Sequence, residues 1–371
     1  MQPKRSVRGL PVYRPGKSID EVKREYGLRH VIKMASNENP AGCSPYVVEN
    51  LLPSSNSGQQ LALYPDGEMR ELRQTAARHL RVEPEQLIFG NGSDEIIQII
   101  ARCFLEPGMN TVMAQTTFPR YKTNVQIENV DVVEIPLTGG THDLEAMAAA
   151  VNERTKIVWV CNPNNPTGTI VTHDALVQFI DRIPSSTLVV LDEAYAEYVA
   201  DEHYPRTAEL LANYPNVIAL RTFSKIYGLA ALRVGYGIAQ PEIVSELNRV
   251  REPFNVNALA QRAAHLALRD QSFVQACHRA NLAGLEQLTT AFTRLGLSFY
   301  PPHGNFVFVD TGHPASDVYT SLLQQGIIVR ADDSWGCPTA IRVTVGNEAE
   351  NAAFLNAFEQ FLQERGQEKS R

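Results

Sequence analysis

Four stretches of this sequence place reactive side chains directly after apolar runs. Leu87-Ile88-Phe89 leads into Gly90-Asn91-Gly92-Ser93-Asp94, and Trp159-Val160-Cys161 into Asn162-Pro163-Asn164-Asn165-Pro166-Thr167-Gly168. Val190-Leu191 leads into Asp192-Glu193-Ala194-Tyr195, and Leu220 into Arg221-Thr222-Phe223-Ser224-Lys225. The glycine-rich stretch lets backbone approach a ligand, and a helix after it would offer unpaired N–H groups and a positive dipole end. Gly92, Ser93 and Asp94 therefore read as a phosphate cradle or, taken alone, as a tight turn. Ser224, Lys225 and Arg233 bring a hydroxyl, an amine and a guanidinium within ten residues, a set suited to a phosphate monoester beside a reactive amine. Singly, Lys225 also reads as a solvated loop lysine and Arg233 as half of a surface ion pair. Asp192, straight after Leu188 to Leu191, would be partly buried and would need a cationic partner. A protonated pyridine ring would be one. An amine, a pyridinium partner and an anion cradle together describe pyridoxal 5′-phosphate held as a Schiff base on Lys225. Neither GxGxxG nor GxxxxGK[ST] occurs, which weakens dinucleotide and nucleoside triphosphate ligands.

These residues need a scaffold that gathers strand ends. From about Tyr64 to Ile238, short β-branched runs alternate with amphipathic helical stretches, the pattern of βα units around a mostly parallel sheet, whose ligands sit beyond the carboxyl ends of the strands. The expected strands are Leu87–Phe89, Thr111–Met113, Val132–Ile135, Ile157–Val160, Leu188–Leu191, Val217–Leu220 and Val234–Ile238. Asp94 to Leu105 reads as a helix with Ser93 as its N-cap, because Ile96, Ile97, Ile100, Cys103 and Phe104 recur at three- and four-residue spacing. After Pro241 come long helical patterns, strand-like Asn305 to Val309 and Ile341 to Val345, and a last helix from Glu348 to Leu362. The division expected is an arm and small-domain contribution over 1–50, a large cofactor-binding domain over 51–250 and a small α+β domain over 251–371.

Size and composition bound the alternatives. The 371 residues, 44% hydrophobic and 20% charged, exclude a stapled mini-scaffold and a largely disordered chain. The 34 Lys and Arg against 41 Asp and Glu leave a net charge of −7, so no global attraction to nucleic acid or anionic lipid is expected and any anion site must be local. Five cysteines without a CxxC pair fit reduced thiols in a cytoplasmic protein. No run of eighteen apolar residues occurs and no apolar leader core opens the chain, so neither secretion nor a membrane span is expected.

The motifs also carry a resemblance. Ser36-Asn37-Glu38-Asn39-Pro40, the Asn162 to Gly168 stretch, Asp192-Glu193-Ala194-Tyr195 and the run from Ser224 to Gly235 resemble the fold type I aminotransferases. Within them, Tyr13-Arg14-Pro15-Gly16-Lys17, Leu63-Tyr64-Pro65-Asp66-Gly67, Gly326-Ile327-Ile328-Val329-Arg330 and Ile341-Arg342-Val343-Thr344-Val345-Gly346 are similar to the histidinol-phosphate aminotransferase family over nearly the whole chain. The resemblance implies the fold type I architecture of pyridoxal-phosphate-dependent transferases, α/β, with a large domain built on a mostly parallel sheet flanked by helices and a smaller α+β domain.

It also implies roles. Lys225 would bond the cofactor aldehyde and then act as general base and acid, Asp192 would keep the ring nitrogen protonated, and Asn165 and Tyr195 would hydrogen-bond the ring's phenolic oxygen. Phe118 would stack on the ring face, or else be an ordinary core aromatic. Ser224, Arg233, Gly92, Ser93 and Asp94 would hold or frame the cofactor phosphate, with Tyr64 reaching across from the other subunit of a symmetric dimer. Arg342 would bind the anionic end of either substrate, glutamate carboxylate or histidinol phosphate. Arg330 and Tyr13 would complete a substrate phosphate site beside Asn37, though each also has a bland reading, as a surface ion pair and an arm-packing aromatic. The implied reaction is transamination between glutamate or 2-oxoglutarate and imidazole-acetol phosphate or histidinol phosphate, with aromatic amino acids as further substrates. Two alternatives stand beside it: decarboxylation of a phosphorylated amino acid such as threonine phosphate, and a non-catalytic cofactor-binding regulator. The second would be expected to bring a basic DNA-binding domain, which this charge balance does not suggest.

Overall fold

A computed structural model of the chain describes residues 1–12, 16–52, 62–331 and 335–368, so Tyr13 lies outside the described residues. The strands among them are β1 (Ile32–Lys33), β2 (Leu87–Gly90), β3 (Asn110–Ala114), β4 (Asp131–Ile135), β5 (Thr155–Cys161), β6 (Leu188–Asp192), β7 (Val217–Thr222), β8 (Gly235–Ala239), β9 (Ser298–Phe299), β10 (Phe306–Asp310), β11 (Ile327–Ile328) and β12 (Ala340–Thr344). Seven of these form the central sheet in the order β2-β8-β7-β6-β5-β3-β4. It is parallel except for β8, which runs against both of its neighbours.

That exception decides where the lysine loop lies. Parallel neighbours need a crossover, and helices Gly92–Phe104, Arg120–Ile127, Leu144–Ala150, His173–Ile180 and Thr207–Asn213 supply one after each of β2 to β6. The antiparallel step from β7 to β8 needs none. A loop containing only a 3₁₀ turn, Ala230–Leu232, makes it, and on that loop stand Ser224, Lys225 and Arg233. Gly235, the first residue of β8, is paired with Gly90 and Thr222, the last residues of β2 and β7. The loop therefore begins and ends at the carboxyl edge of the sheet.

Every position of β3, β6 and β8 is buried, as their apolar runs require for strands covered on both faces. Along β5 and β6 the alternation is strict: Ile157, Trp159, Leu188 and Val190 pack into one hydrophobic cluster, Val158, Val160, Val189 and Leu191 into the other. Asp192 continues the Leu188 and Val190 face. Glu193, on the opposite face, meets Arg221 at 2.9 Å. Two adjacent acids thus have opposite fates, one paired with an arginine and one facing a cavity.

A third core forms around β9, β10 and β12, an antiparallel sheet backed by helices Gln271–Arg294, Ala315–Gln324 and Glu348–Glu368. The helix Ala258–Arg269 packs with the central sheet through Ala260, Ala263, Ala264 and Leu268. The long helix after it crosses between cores, contributing Val274 and Cys277 to the first and Leu285, Leu288 and Phe292 to the third. The N-terminal segment joins this second body, because β1 pairs in parallel with β11. Ser93 is not an N-cap: the helix starts at Gly92 with Asn91 at the cap position, two residues earlier than expected, since Gly92 takes a φ of +71° that glycine adopts freely and that lets the turn begin sooner. Among the described residues no helix is long and apolar enough to cross a membrane.

Candidate active site

A cavity of about 240 Å³ opens at the carboxyl edge of the central sheet. Cys161, Asp192 and Thr222, the last residues of β5, β6 and β7, line it, as the rule for open α/β sheets requires. Lys225, Ser224, Arg233, Gly92, Ser93, Asp94, Phe118, Asn165, Tyr195, Asn37, Arg330 and Arg342 line it too. Sequence reasoning named all twelve, and the fold brings them together from positions as distant as Asn37 and Arg342.

At its centre the Lys225 Nζ donates to the Ser36 carbonyl at 3.1 Å and sits 5.6 Å from the centre of the Tyr195 ring. Burial, reinforced by the Arg342 charge, brings the Lys225 ammonium down from 10.5 to about 8. A neutral amine is therefore within reach near neutral pH, as a nucleophile or a general base needs. Asp192 is 3% exposed. Its Oδ2 accepts from the Tyr121 hydroxyl at 2.6 Å and its Oδ1 from the Ala194 N–H at 3.2 Å. Among the described residues it makes no ion pair, and burial pushes it up from 3.8 to about 6.

The anion cradle is built by close backbone approach. Arg233, at the left-handed φ of +54°, donates to Ser224 Oγ at 3.3 Å and to Asp94 Oδ2 at 3.3 Å. A Cβ on Gly92 would stand 2.7 Å from the Arg233 Nη2, and one on Gly235 2.5 Å from the Ser93 nitrogen. Glycine at these two places lets guanidinium, hydroxyl and the first N–H groups of helix Gly92–Phe104 converge, and those N–H groups have no acceptor within the helix.

On the other wall, Arg342 of β12 is held over Phe306 and Trp335, its guanidinium carbon 5.4 and 5.5 Å from their ring centres. It donates to Asn165 Oδ1 at 2.5 Å and to the Ala35 carbonyl at 2.7 Å. The arginine fixes the Asn165 amide: with Oδ1 committed, Nδ2 turns to the Tyr195 hydroxyl at 3.4 Å. Asn37, held at a φ of +55°, is fixed likewise, because its Oδ1 accepts from Thr344 Oγ1 at 3.0 Å and leaves Nδ2 to donate to Tyr195 at 3.0 Å. A phenol that accepts twice keeps its single proton for a third partner. Burial raises the Tyr195 hydroxyl above the ordinary phenol range, so it stays a donor. Arg330 is bridged to Arg342 through the main chain, each N–H donating to the other's carbonyl at 3.0 and 2.8 Å.

Tyr64 stands apart. It is 82% exposed, stacked on Phe254 with ring centres 4.8 Å apart, and does not line the cavity. Sequence reasoning missed Tyr121, Ser36, Thr344 and Trp335. Tyr121 had a usable signal: it follows Phe118 by three residues at the start of a helical stretch, a spacing that puts two aromatics side by side. Their rings meet edge to face at 5.5 Å. Trp335 and Thr344 carried none, because only the fold of the C-terminal sheet brings Trp335 to the cavity and Thr344 to Asn37.

Comparison with known proteins places this geometry. Residues 29–358 match the family model for aminotransferase class I and II. The chain is 54% identical to the histidinol-phosphate aminotransferase of Brevibacillus brevis, covering 98% of this chain and 99% of that protein. It is 52% identical to that of a Geobacillus species, over 98% and 99%. Its fold superposes with a TM-score of 0.89 and 28% identity on the crystal structure of histidinol-phosphate aminotransferase from Sinorhizobium meliloti in complex with pyridoxal 5′-phosphate, covering 97% of each chain.

Proposed function

Because this chain belongs to the class I and II aminotransferases, we propose that the amino acceptor it serves is imidazole-acetol phosphate, converted to histidinol phosphate with glutamate as donor. The carrying observation is Arg342, buried and braced in the same cavity as Lys225. Its planar fork matches a carboxylate and a phosphate equally well, so one residue serves glutamate and a phosphorylated partner that lacks the α-carboxylate. Arg330 lies on the same wall and adds the second positive charge a phosphate dianion calls for. The relatives that share half of this chain's residues along its whole length carry that activity in their names, which supports the choice. The proposed setting is a cytoplasmic homodimer in which the exposed Tyr64 reaches the partner's cavity.

The enzyme is an aminotransferase and its cofactor is pyridoxal 5′-phosphate. The residues fit it. Asp192 is a buried carboxylate without a cation among the described residues, and the glycine-lined cradle of Arg233, Ser224 and helix N–H groups suits a phosphate. When bound, the cofactor supplies an aldehyde that takes up nitrogen and a ring that draws electron density from the breaking bond. The chain does the rest. Lys225 Nζ, with its lowered proton affinity, would take the proton from the substrate carbon bearing nitrogen and hand it to the former aldehyde carbon of the cofactor, so that nitrogen stays with the cofactor and the substrate leaves as a carbonyl compound after hydrolysis. Asp192 orients and charges the ring nitrogen. The Tyr195 hydroxyl and Asn165 Nδ2, held by Asn37 and Arg342, hydrogen-bond the ring oxygen. Phe118 would cover the ring face, and Ser224, Arg233, Gly92 and Ser93 would anchor the phosphate, with Asp94 holding the arginine.

Single-turnover spectra test the substrate assignment. Cofactor-loaded protein is mixed separately with histidinol phosphate, glutamate, phenylalanine and tyrosine, and bleaching of the visible band is followed. Histidinol phosphate and glutamate are expected to convert it, with histidinol phosphate ahead of both aromatic amino acids. Faster conversion by tyrosine or phenylalanine, or release of carbon dioxide from threonine phosphate without an acceptor, overturns it.

A further inference from the structure

Tyr121 stands behind the site and does not line the cavity. It is fully buried, and its ring stacks on Trp159 with centres 5.0 Å apart and 13° between planes. Phe118 closes its other edge. The stack aims the hydroxyl at Asp192 Oδ2, 2.6 Å away. A carboxylate buried without a cation must accept hydrogen bonds or take a proton. Asp192 has two donors from the protein, Tyr121 and the Ala194 N–H.

We propose that Tyr121 is a positioning residue whose hydrogen bond to Asp192 decides where the proton between that carboxylate and the cofactor's ring nitrogen rests. The carboxylate and the ring nitrogen compete. Both groups bind the same proton, and the one that is otherwise better satisfied releases it. A phenol that donates to the carboxylate lowers its demand for a second proton, which stays on nitrogen. With the phenol gone, Asp192 keeps one protein donor and draws the proton to itself, leaving the ring neutral and a poorer electron sink.

The surrounding groups leave Tyr121 as the adjustable one. Cys161 on β5 faces the carboxylate, and burial pushes its thiol up to about 12. Tyr121 is pushed well above the ordinary phenol range by burial and by Asp192, so both remain protonated donors at working pH. Asp94 from helix Gly92–Phe104 and the adjoining Glu193 are like charges that raise the demand of Asp192 for a proton. Tyr195 across the cavity stays a neutral phenol and adds no like charge.

The proposal rests on Asp192 facing the ring nitrogen, so the experiment separates the two claims. Holoenzyme is prepared with cofactor labelled with nitrogen-15 in the ring, and the nitrogen chemical shift is read in wild type, Tyr121→Phe, Asp192→Asn and Trp159→Phe. Wild type is expected at the protonated position. Tyr121→Phe keeps the stack, loses only the hydroxyl, and is expected to move toward the neutral pyridine position. Its cofactor affinity, read by fluorescence titration of apoprotein, falls about tenfold, the worth of one hydrogen bond to a charged group. Trp159→Phe, which trims the stack but keeps an aromatic face against the phenol and leaves its hydroxyl in place, is expected to lower thermal stability and leave the nitrogen signal in place. If Asp192→Asn moves the signal and Tyr121→Phe does not, the role given to Tyr121 is wrong. If neither moves it, the placement of Asp192 is wrong as well. Should Tyr121→Phe not accumulate folded, 3-fluorotyrosine placed at position 121 serves instead. That more acidic phenol donates more strongly, so the line should hold at the pyridinium position and the pH at which the ring nitrogen loses its proton should rise, and a line that moves toward neutral pyridine or a midpoint that stays or falls overturns the proposal.

Discussion

Replacing Asp192 by asparagine should stabilise the protein without cofactor while damaging it with cofactor. In the folded chain the carboxyl group is raised from 3.8 to about 6 by burial, which at 1.36 kcal/mol per pH unit is a burden of about 3 kcal/mol once the group is ionised in both states. The sign follows from proton counting. Between pH 3.8 and about 6 the folded state binds more protons than the unfolded one, so stability falls as pH rises through this window and the burden is complete above it. Asparagine is neutral at every pH. It has one acceptor oxygen for two donors, the Tyr121 hydroxyl and the Ala194 N–H, so it forfeits one hydrogen bond worth about 1 kcal/mol. The net expectation at pH 8 is an apoprotein more stable by about 2 kcal/mol. That advantage should decay as pH falls through 6 toward 4. Urea unfolding of both apoproteins at one protein concentration, at pH 8 and at pH 4.5, measures it. Adding pyridoxal phosphate should reverse the order, because wild type then gains its missing cationic partner. An asparagine variant less stable than wild type at pH 8 without cofactor would refute the claim that Asp192 is an uncompensated buried charge.

Lys225 makes the mirror-image case: its folded-state value of about 8 lies below 10.5, so its burden is complete below pH 8 and vanishes as pH climbs to 10.5. Lys225→Met apoprotein should be more stable than wild type by up to about 3 kcal/mol at pH 7, with the gap closing by pH 10.5 in the same unfolding assay. Arg342→Lys keeps charge but loses the fork and the clamp on Asn165, and kcat/KM for both half-reactions should fall at least about tenfold in steady-state assays. Gly235→Ala drives a Cβ to within 2.5 Å of the Ser93 nitrogen and 2.9 Å of the Arg221 carbonyl oxygen, and should weaken cofactor binding by about tenfold or more in fluorescence titrations. Tyr64→Ala and Lys225→Ala homodimers should each be impaired. Mixing them should restore activity through hybrids holding one intact site, whereas no recovery would confine Tyr64 to its own subunit.

The large sheet was legible because buried parallel strands write themselves as continuous apolar runs, and Leu188 to Leu191 or Ile157 to Val160 admit few other readings. The chemistry was legible for a related reason: strands that end at a ligand edge switch abruptly to polar residues, as β6 does at Asp192 and β7 after Leu220. Tyr121 escaped notice because its meaning depends on which face of β6 Asp192 occupies and on a helix 71 residues away packing over that face. The pairing of Asn37 with Thr344 spans 307 residues and follows only from the docking of the N-terminal segment against β12, where the Thr344 N–H donates to the Met34 carbonyl at 2.9 Å. Ser93 was misplaced as a cap because a left-handed glycine moves the turn by two residues, a choice that local propensity does not reveal.

Every role assigned to the site depends on one atom, the Lys225 Nζ. Holoenzyme reduced with borohydride, digested and mapped by mass spectrometry should carry the reduced cofactor on the peptide containing Lys225 and on no other. Cofactor found on a different lysine, or a fully active protein that takes up none, would contradict the assignment on which every other role depends.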